Sequence, residues 1–291
     1  MTTVLVWSDD PKLVSELAGK AVAFGTVLGF DPGNLPDQDS ATIAVALAAA
    51  ATNAKADLVM VGATKKGKDV GARTAAHLDW PYAPEILAIG AGSGAGGAGG
   101  AGWTVERMVL SGNSKATYTL GAHGVVTATP KAFEAGAAPA STVSATGISA
   151  SKVKVVGRKP EKHGSFDLGS APVVVGVGRG FKQQADIRLA EDLAKCFPGG
   201  AVGCSRPIAA DLKWLGEEHW IGLSGHQIRP KAYIACGLSG QIQHIAGIRG
   251  SKLIVAVNTN KDAPIVAASD YAVIGDLYRV LPKVTQLLRQ K

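Results

Sequence analysis

The chain has 291 residues, of which 46% are hydrophobic and 18% are charged, a balance that suits two folded α/β domains and argues against intrinsic disorder. The formal net charge is +7, but no aromatic platform lies beside a basic stripe, so an acidic protein partner is favoured over nucleic acid. The three cysteines have neither metal-ligand nor disulfide spacing and the N-terminus does not resemble a targeting peptide, so we predict a cytoplasmic protein. No apolar segment reaches the ~18 residues that a membrane span needs, so we predict that the chain does not cross a membrane.

The first half of the chain alternates apolar runs with amphipathic segments. Asp39 or Ser40 is a candidate cap for the second helix. This alternation predicts βαβ units around a parallel sheet. We predict strands at 4–7 and 57–63, and helices at 11–24, 40–55 and 70–78.

Two changes of composition divide the chain. Residues 90–102 are only Gly, Ala and Ser, which predicts a mobile loop rather than a phosphate-binding loop. From 103 to 156 the short apolar runs at 105–112, 124–130 and 151–158 predict antiparallel strands. Residues 159–170 combine Pro, Gly and charges, so we place the boundary there, between an N-terminal domain at 1–165 and a C-terminal domain at 166–291.

The second half contains five short apolar runs with the character of buried strands. A helix fits 183–197, because its apolar residues fall on one face. The pattern predicts an open, mostly parallel, doubly wound sheet with helices on both faces. The five runs lie at 172–178, 200–205, 231–237, 252–258 and 271–276.

Glycines or hydrogen-bonding side chains follow every one of these five strands. Taken singly, each is more often a turn or a helix cap than a ligand contact. Ligands of open α/β sheets bind at the carboxyl ends of the strands, so the joint pattern favours a nucleotide-sized ligand. The residues are Gly178–Gly180, Ser205–Arg206, Gly237–Gly240, Asn258 and Asp276.

The glycines at 176–180 form only a weak NAD fingerprint, because the third glycine and the acidic residue after the next strand are both missing. The stretch at 232–258 is more specific. A predicted strand is followed by Gly-Leu-Ser-Gly at 237–240. A helix is predicted to begin near Ser239, where backbone N–H groups suit an anionic group. His244 follows one turn after Gly240.

Residues 232–258 resemble the signature of electron-transfer flavoprotein alpha subunits, Tyr-Ile-Ala-x-Gly-(Ile/Val)-Ser-Gly-x-Ile-Gln-His-x-x-Gly followed by Ile-Val-Ala-(Ile/Val)-Asn. Leu238 is the one departure in the glycine segment. The resemblance is strong over Val173–Gln290 and looser in the first half, where Leu-Ser-Gly-Asn-Ser-Lys-Ala-Thr at 110–117 is similar. Further matches are Gly-Arg-Gly at 178–180 and the segments at 203–206, 221–225, 258–265 and 270–277.

The resemblance implies that FAD lies on the C-terminal domain and that the chain forms a heterodimer with a beta subunit. The resemblance implies no catalytic residue and no metal ligand in this chain. The implied cofactor-binding residues are Arg179, Ser205, Arg206, Ile221, Gly222, Leu223, Ser224, Ser239, Gly240, Gln241, Ile242, Gln243, His244, Asn258, Asp276 and Leu277.

The residue types suit different parts of FAD. Arg206 can supply a fixed positive charge near N1 and C2=O, where reduction places negative charge. Ser224 offers a hydroxyl suited to N5, and His244 can donate towards C2=O. Asn258 and Asp276 suit the adenosine half and the ribose hydroxyls.

Two positions depart from the family pattern. Leu223 replaces a glutamine that many members have, so one polar contact to the flavin edge is absent. Cys204 stands where alanine is common; it is a redox-sensitive thiol or, as we favour, a buried small residue. Trp214 and Trp220 are interpreted first as packing residues and second as flavin neighbours.

The resemblance implies an electron carrier between dehydrogenases and a quinone-linked or other acceptor. A carrier needs no acid–base constellation, and the sequence contains none. Two alternatives stay open: an NADH-oxidising, electron-bifurcating complex with a second flavin in the beta subunit, and a nucleotide-binding module without redox activity.

Overall fold

The structure is a computed structural model that describes residues 2–33, 35, 39–92, 102–112, 114–145, 148, 153, 155–157 and 168–290. The chain separates into two compact units, Met1–Lys159 and Pro160–Lys291. Most of the predicted glycine-rich loop, 93–101, and most of the predicted boundary, 159–167, lie outside the described residues.

The N-terminal unit is built on one eight-stranded sheet in the order β6-β5-β4-β7-β3-β1-β2-β8. The pairs β4–β5 and β5–β6 are antiparallel, and the other neighbours are parallel. The strands are β1 (Thr2–Trp7), β2 (Gly25–Phe30), β3 (Leu58–Gly62), β4 (Tyr82–Gly92), β5 (Gly102–Val109), β6 (Ser114–Leu120), β7 (Gly124–Ala128) and β8 (Ser141–Val143). The helices are α1 (Pro11–Ala21), α2 (Ser40–Asn53) and α3 (Lys65–Leu78).

The core of this unit lies on both faces of the sheet. Val4 and Val6 of β1 belong to one apolar cluster, and Leu5 and Trp7 belong to the other. A strand that is buried on both faces reads as a continuous apolar run rather than an alternating one. That is why β1 and β3 could be recognised in the sequence.

Several expectations for this unit were wrong or incomplete. The apolar run at 124–128 is a strand, but it pairs in parallel with β3 and β4, not antiparallel. The predicted strand at 151–158 does not form in its described residues, 153 and 155–157. Gly90–Gly92 and Gly102 belong to β4 and β5, so the ends of the predicted loop are strand.

The C-terminal unit contains a five-stranded, wholly parallel sheet in the order β10-β9-β11-β12-β13. The strands are β9 (Val173–Val177), β10 (Ala201–Cys204), β11 (Ala232–Cys236), β12 (Ile254–Asn258) and β13 (Tyr271–Ile274). The helices are α4 (Arg188–Ala194), α5 (Ile242–Ile248), α6 (Pro264–Ala267) and α7 (Leu277–Arg289). All five predicted strands are confirmed.

Helices cover both faces of this sheet, as predicted. The cluster on one face joins α4 and α7 to Val175 and Cys236, and the cluster on the other face joins α5 to Val174 and Tyr233. The strand order reverses between β9 and β11, which opens a crevice at the carboxyl ends of these two strands.

The helices differ from expectation at their starts. The predicted helix at 183–197 is a short helical turn at Gln184–Ile187 followed by α4. The helix expected near Ser239 begins only at Ile242, because Gly240 has a φ of +80° and Gln241 has a non-helical ψ of 144°. Within the described residues, no helix is long and apolar enough to cross a membrane.

The start of α2 depends on Asp39, which supports a stability prediction. Its carboxylate accepts from the N–H groups of Ala41 and Thr42 at 2.7 and 3.0 Å. Asp39→Ala is expected to lower the unfolding free energy of the N-terminal unit by about 1 kcal/mol, or its Tm by about 2–4 °C in calorimetry. Asp69→Ala, which removes an exposed ion pair with Arg73, should cost less than about 0.5 kcal/mol. Equal effects would contradict the capping role.

Candidate cofactor-binding site

A cavity of about 680 Å³ lies at the carboxyl edge of the C-terminal sheet, where the strand order reverses. This volume is within the ~300–1,000 Å³ typical of small-molecule and cofactor sites. The lining combines backbone, apolar, hydroxyl and cationic groups: Arg179, Ser205, Arg206, Pro207, Trp220, Ile221, Gly222, Leu223, Ser224, Gly237, Leu238, Ser239, Gly240, Gln241, Gln243 and His244.

The loops that follow β9 and β11 meet through their backbones at one side of this cavity. The N–H of Gly178 donates to Cys236 O at 3.0 Å, and that of Gly180 donates to Gly237 O at 2.9 Å. A Cβ at Gly178 would lie 2.3 Å from Gly237 O, and one at Gly180 would lie 2.6 Å from Gly237 Cα. Only glycine permits this approach.

A turn at 220–226 forms another wall of the cavity. The N–H of Ile221 donates to Cys204 O at the end of β10, at 2.9 Å. The N–H of Leu223 donates to Gln243 O in α5, at 2.8 Å. The turn is therefore tied to both the sheet edge and the helix, which holds Leu223 and Ser224 at the cavity.

Arg206 is placed against the indole of Trp220. The guanidinium carbon lies 5.9 Å from the ring centroid, within the range of a cation–π contact. Trp220 thus lines the cavity and holds a cation beside it, whereas Trp214 does not line the cavity and packs against a core cluster.

His244 lines the cavity from a buried position, with 7% of the residue exposed. Its Nε2 lies 2.8 Å from the hydroxyl of Tyr233, and its buried Nδ1 has no hydrogen-bond partner among the described residues. Burial lowers the pKa of His244 to about 4, and the backbone carbonyl of Ile221 acts in the opposite direction. The imidazole is therefore neutral at pH 7.

Four of the residues implied by the family resemblance do not line the cavity. Asn258 donates to Leu238 O at 2.7 Å, so it supports the loop after β11. Asp276 caps α7 by accepting from the N–H of Tyr278 at 2.9 Å. Leu277 is buried in the core, and Ile242 is 50% exposed.

Four lining residues were absent from the set implied by the family resemblance: Pro207, Trp220, Gly237 and Leu238, of which the last two had been named among the strand-end residues. Pro207, Trp220 and Leu238 are each next to an implied residue in the chain, and Gly237 lies two residues before Ser239. A loop that lines a cavity contributes consecutive residues, so the chain neighbours of the implied residues are the signal that could have found them.

Cys204 is fully buried at the end of β10. Burial raises the pKa of its thiol to about 12, with a smaller contribution from Glu218. The thiol stays protonated at neutral pH, which supports the role of a small packing residue over that of a reactive thiolate.

The charge of the cavity wall favours an anionic ligand. Of the described residues that line it, two are arginines and none carries a carboxylate. Three serines supply hydroxyls, and the glycine loops permit close approach. These groups suit a dinucleotide that has a charged pyrophosphate and a planar ring with polar edges.

Strand order and residue chemistry together define a cofactor-binding α/β protein. The model of the electron transfer flavoprotein FAD-binding domain matches residues 167–249, and that of the electron transfer flavoprotein domain matches residues 2–156. The chain is 32% identical to Protein FixB of Escherichia coli O1:K1 / APEC over 237 residues, which cover 79% of this chain and 73% of that protein.

A second relative is the putative electron transfer flavoprotein subunit YdiR of Escherichia coli K12, 44% identical over 133 residues, or 45% of this chain and 42% of that protein. The chain belongs to the electron-transfer flavoprotein family, as an alpha subunit whose C-terminal domain binds FAD.

Substitution of Gly178 by alanine tests the contact between the two glycine loops. The added Cβ overlaps Gly237 O, so the loops must separate, and we expect FAD to bind about tenfold more weakly or worse in a fluorescence titration. Gly275→Ala is the control, because its Cβ would meet only Val280 Cγ2 at 3.4 Å. Equal loss of affinity in both variants would disprove this role.

The low pKa of His244 predicts a pH dependence of stability. Between pH 6.5 and about pH 4, the unfolded chain binds a proton at His244 and the folded chain does not. Stability is therefore lost as the pH falls through this window, by up to about 3 kcal/mol from this group. Denaturant titrations of the FAD-free protein should show a shallower loss in His244→Gln.

His77→Gln is the control for this measurement, since His77 is exposed and belongs to the other unit. It should leave the pH dependence of the C-terminal transition as in the wild type. An unchanged slope in His244→Gln would show that His244 is not held neutral by burial.

Proposed function

We propose that this chain pairs with a beta subunit, holds FAD in the cavity beside β9, β10 and β11, and passes electrons from dehydrogenases to a quinone-linked or other acceptor. The observation that carries the proposal is the cavity itself. Its described lining contains two arginines, a neutral buried histidine and no carboxylate.

The cavity-lining members of the sequence-based set are proposed to contact FAD directly. Arg179, the serines and the glycine loops would hold its polar and anionic groups. Asn258 and Asp276 are proposed to act at the adenosine end, where each also has a structural hydrogen bond. Ile242 and Leu277 stay in the proposed set as apolar neighbours.

Arg206 and His244 are proposed to adjust the environment of the flavin ring. FAD supplies the redox chemistry when it is bound. The guanidinium of Arg206 would place a positive charge beside the ring, which favours the negative charge that reduction adds. His244 stays neutral, so it can hydrogen-bond to the ring without adding a second charge.

The lining supports electron carriage better than acid–base catalysis. His244 is the only titratable group among the described lining residues that could exchange a proton near neutrality, and its pKa of about 4 leaves it unprotonated. Leu223 lies at the cavity with 46% of the residue exposed. An apolar, accessible rim suits brief contact with partner proteins.

Coexpression with the beta subunit tests the proposal. The purified heterodimer should show flavin absorption with one FAD per complex, and a dehydrogenase with its own substrate should reduce it. Absence of flavin would overturn the proposal. Two FAD per heterodimer, with direct oxidation of NADH, would instead establish the bifurcating alternative.

Replacement of Arg206 by alanine tests the electrostatic role. The flavin should stay bound, and its midpoint potential should fall by on the order of tens of millivolts, because a cation no longer favours the reduced form. Arg188→Ala makes the same change in net charge at an exposed position away from the cavity. A potential that moves equally in both variants, or in neither, would rule out a local role for Arg206.

A further inference from the structure

Tyr278, in the first turn of α7, is hydrogen-bonded to the loop that follows β9. The backbone N–H of Lys182 donates to the Tyr278 hydroxyl oxygen at 2.7 Å, and this hydroxyl donates to Asp186 Oδ2 at 2.6 Å. The two bonds join residues that are 96 and 92 positions apart in the chain. The loop is therefore tied to a helix that lies far from it in sequence.

The chemistry of the partners fixes the direction of both bonds. A backbone N–H only donates and an ionised carboxylate only accepts, so the single O–H of the phenol points to Asp186. The hydrogen bond from Tyr278, followed by that from Gln183, lowers the pKa of Asp186, so this carboxylate is ionised at neutral pH. Burial, followed by the bond to Asp186, raises the pKa of Tyr278, so the phenol keeps its proton.

α7 presents this phenol from a well-supported position. Asp276 caps the helix by accepting from the N–H of Tyr278 at 2.9 Å. Leu277 is buried in the core cluster that also contains Phe181 of the loop. In addition, Lys182 Nζ lies 5.1 Å from the centroid of the Tyr278 ring, within the range of a cation–π contact. Packing and hydrogen bonding thus hold the same segment of the loop against the same helix.

The glycines that permit close approach at the cavity also make the loop after β9 costly to order. Glycine has more backbone freedom to lose than any other residue, and Gly178 and Gly180 have no side chain that could pack. Their N–H groups bind the backbone after β11, and the bond to Tyr278 holds the loop a second time, at Lys182. Arg179, which lines the cavity, lies between these fixed points.

We propose that Tyr278 is a positioning residue of the cofactor site: its hydroxyl fixes the loop after β9 at Lys182 and thereby keeps Arg179 at the cavity. The inference rests on the proposed FAD site and names the group that holds one of its two arginines in place. Tyr278 is not among the described residues that line the cavity, so its effect on FAD is transmitted by the loop.

Amide hydrogen exchange tests the tie between Tyr278 and the loop. In the heterodimer freed of FAD, the N–H of Lys182 should exchange about fivefold faster in Tyr278→Phe, which removes the hydroxyl and keeps the ring, than in the wild type. Tyr271→Phe is the matched control, because Tyr271 is 67% exposed in the same unit, and it should leave this exchange unchanged. Equal exchange of Lys182 in the wild type and in Tyr278→Phe would overturn the proposal.

The affinity for FAD tests the role at the cofactor site. Tyr278→Phe should bind FAD about fivefold more weakly in a fluorescence titration of the heterodimer, because binding must then order the loop as well. Tyr271→Phe should bind FAD as the wild type does. An unchanged affinity in Tyr278→Phe would rule out the positioning role.

A double-mutant cycle separates positioning of Arg179 from a general loss of stability. Arg179→Gln removes the cation and should itself weaken FAD binding. If Tyr278 acts through Arg179, then adding Tyr278→Phe to Arg179→Gln should weaken binding by less than about twofold further. A further loss as large as that of Tyr278→Phe alone would show that the two residues act independently, and would refute the proposal.

The two proposals fail in different ways. A wild-type heterodimer without FAD would refute the proposed function, and the role of Tyr278 with it. A heterodimer that binds FAD normally, and whose affinity Tyr278→Phe leaves unchanged, would leave the carrier function intact and refute only the role of Tyr278.

Discussion

The C-terminal unit depends on a backbone contact between two glycine loops. Gly178 and Gly180 lie against Gly237 so closely that no Cβ fits, and two N–H groups donate across the contact. The contact lies where the strand order reverses, so it sets the separation of the loops after β9 and β11. The positions of Arg179 and Ser239 at the cavity follow from it. A parallel sheet creates the crevice, but the glycines set its width.

Charge and desolvation then give the crevice its chemical character. Arg179 and Arg206 are cations with no carboxylate opposite them in the described lining, so the wall favours an anionic ligand. His244 lies deeper, where the loss of solvent keeps it neutral. The arginines supply a fixed positive charge at the rim, and His244 supplies an uncharged hydrogen-bonding group inside. This combination suits a redox cofactor, because neither group has to exchange a proton with the cofactor ring.

The sequence predicted most of the C-terminal fold because its strands read as unbroken apolar runs: four of the five, β9 to β12, are largely buried, and β13 is an exposed edge strand that is nevertheless apolar. The N-terminal sheet was harder. β6 is a largely exposed strand without an apolar run, and β2 is interrupted by Gly29. The run at 124–128 was recognised as a strand but given the wrong direction, because strand direction depends on pairing with β3 and β4, which are distant in the chain.

By itself, the sequence determined the family, the five strand ends and the loops that line the cavity, because these are properties of consecutive residues. The tertiary structure decided which partner each side chain has. It showed that Asp276 caps α7 and that Asn258 holds the loop after β11. It also brought Trp220 beside Arg206 and Tyr233 beside His244. Such pairs depend on register and distance across separate elements, and a motif specifies residue types without specifying what lies opposite them.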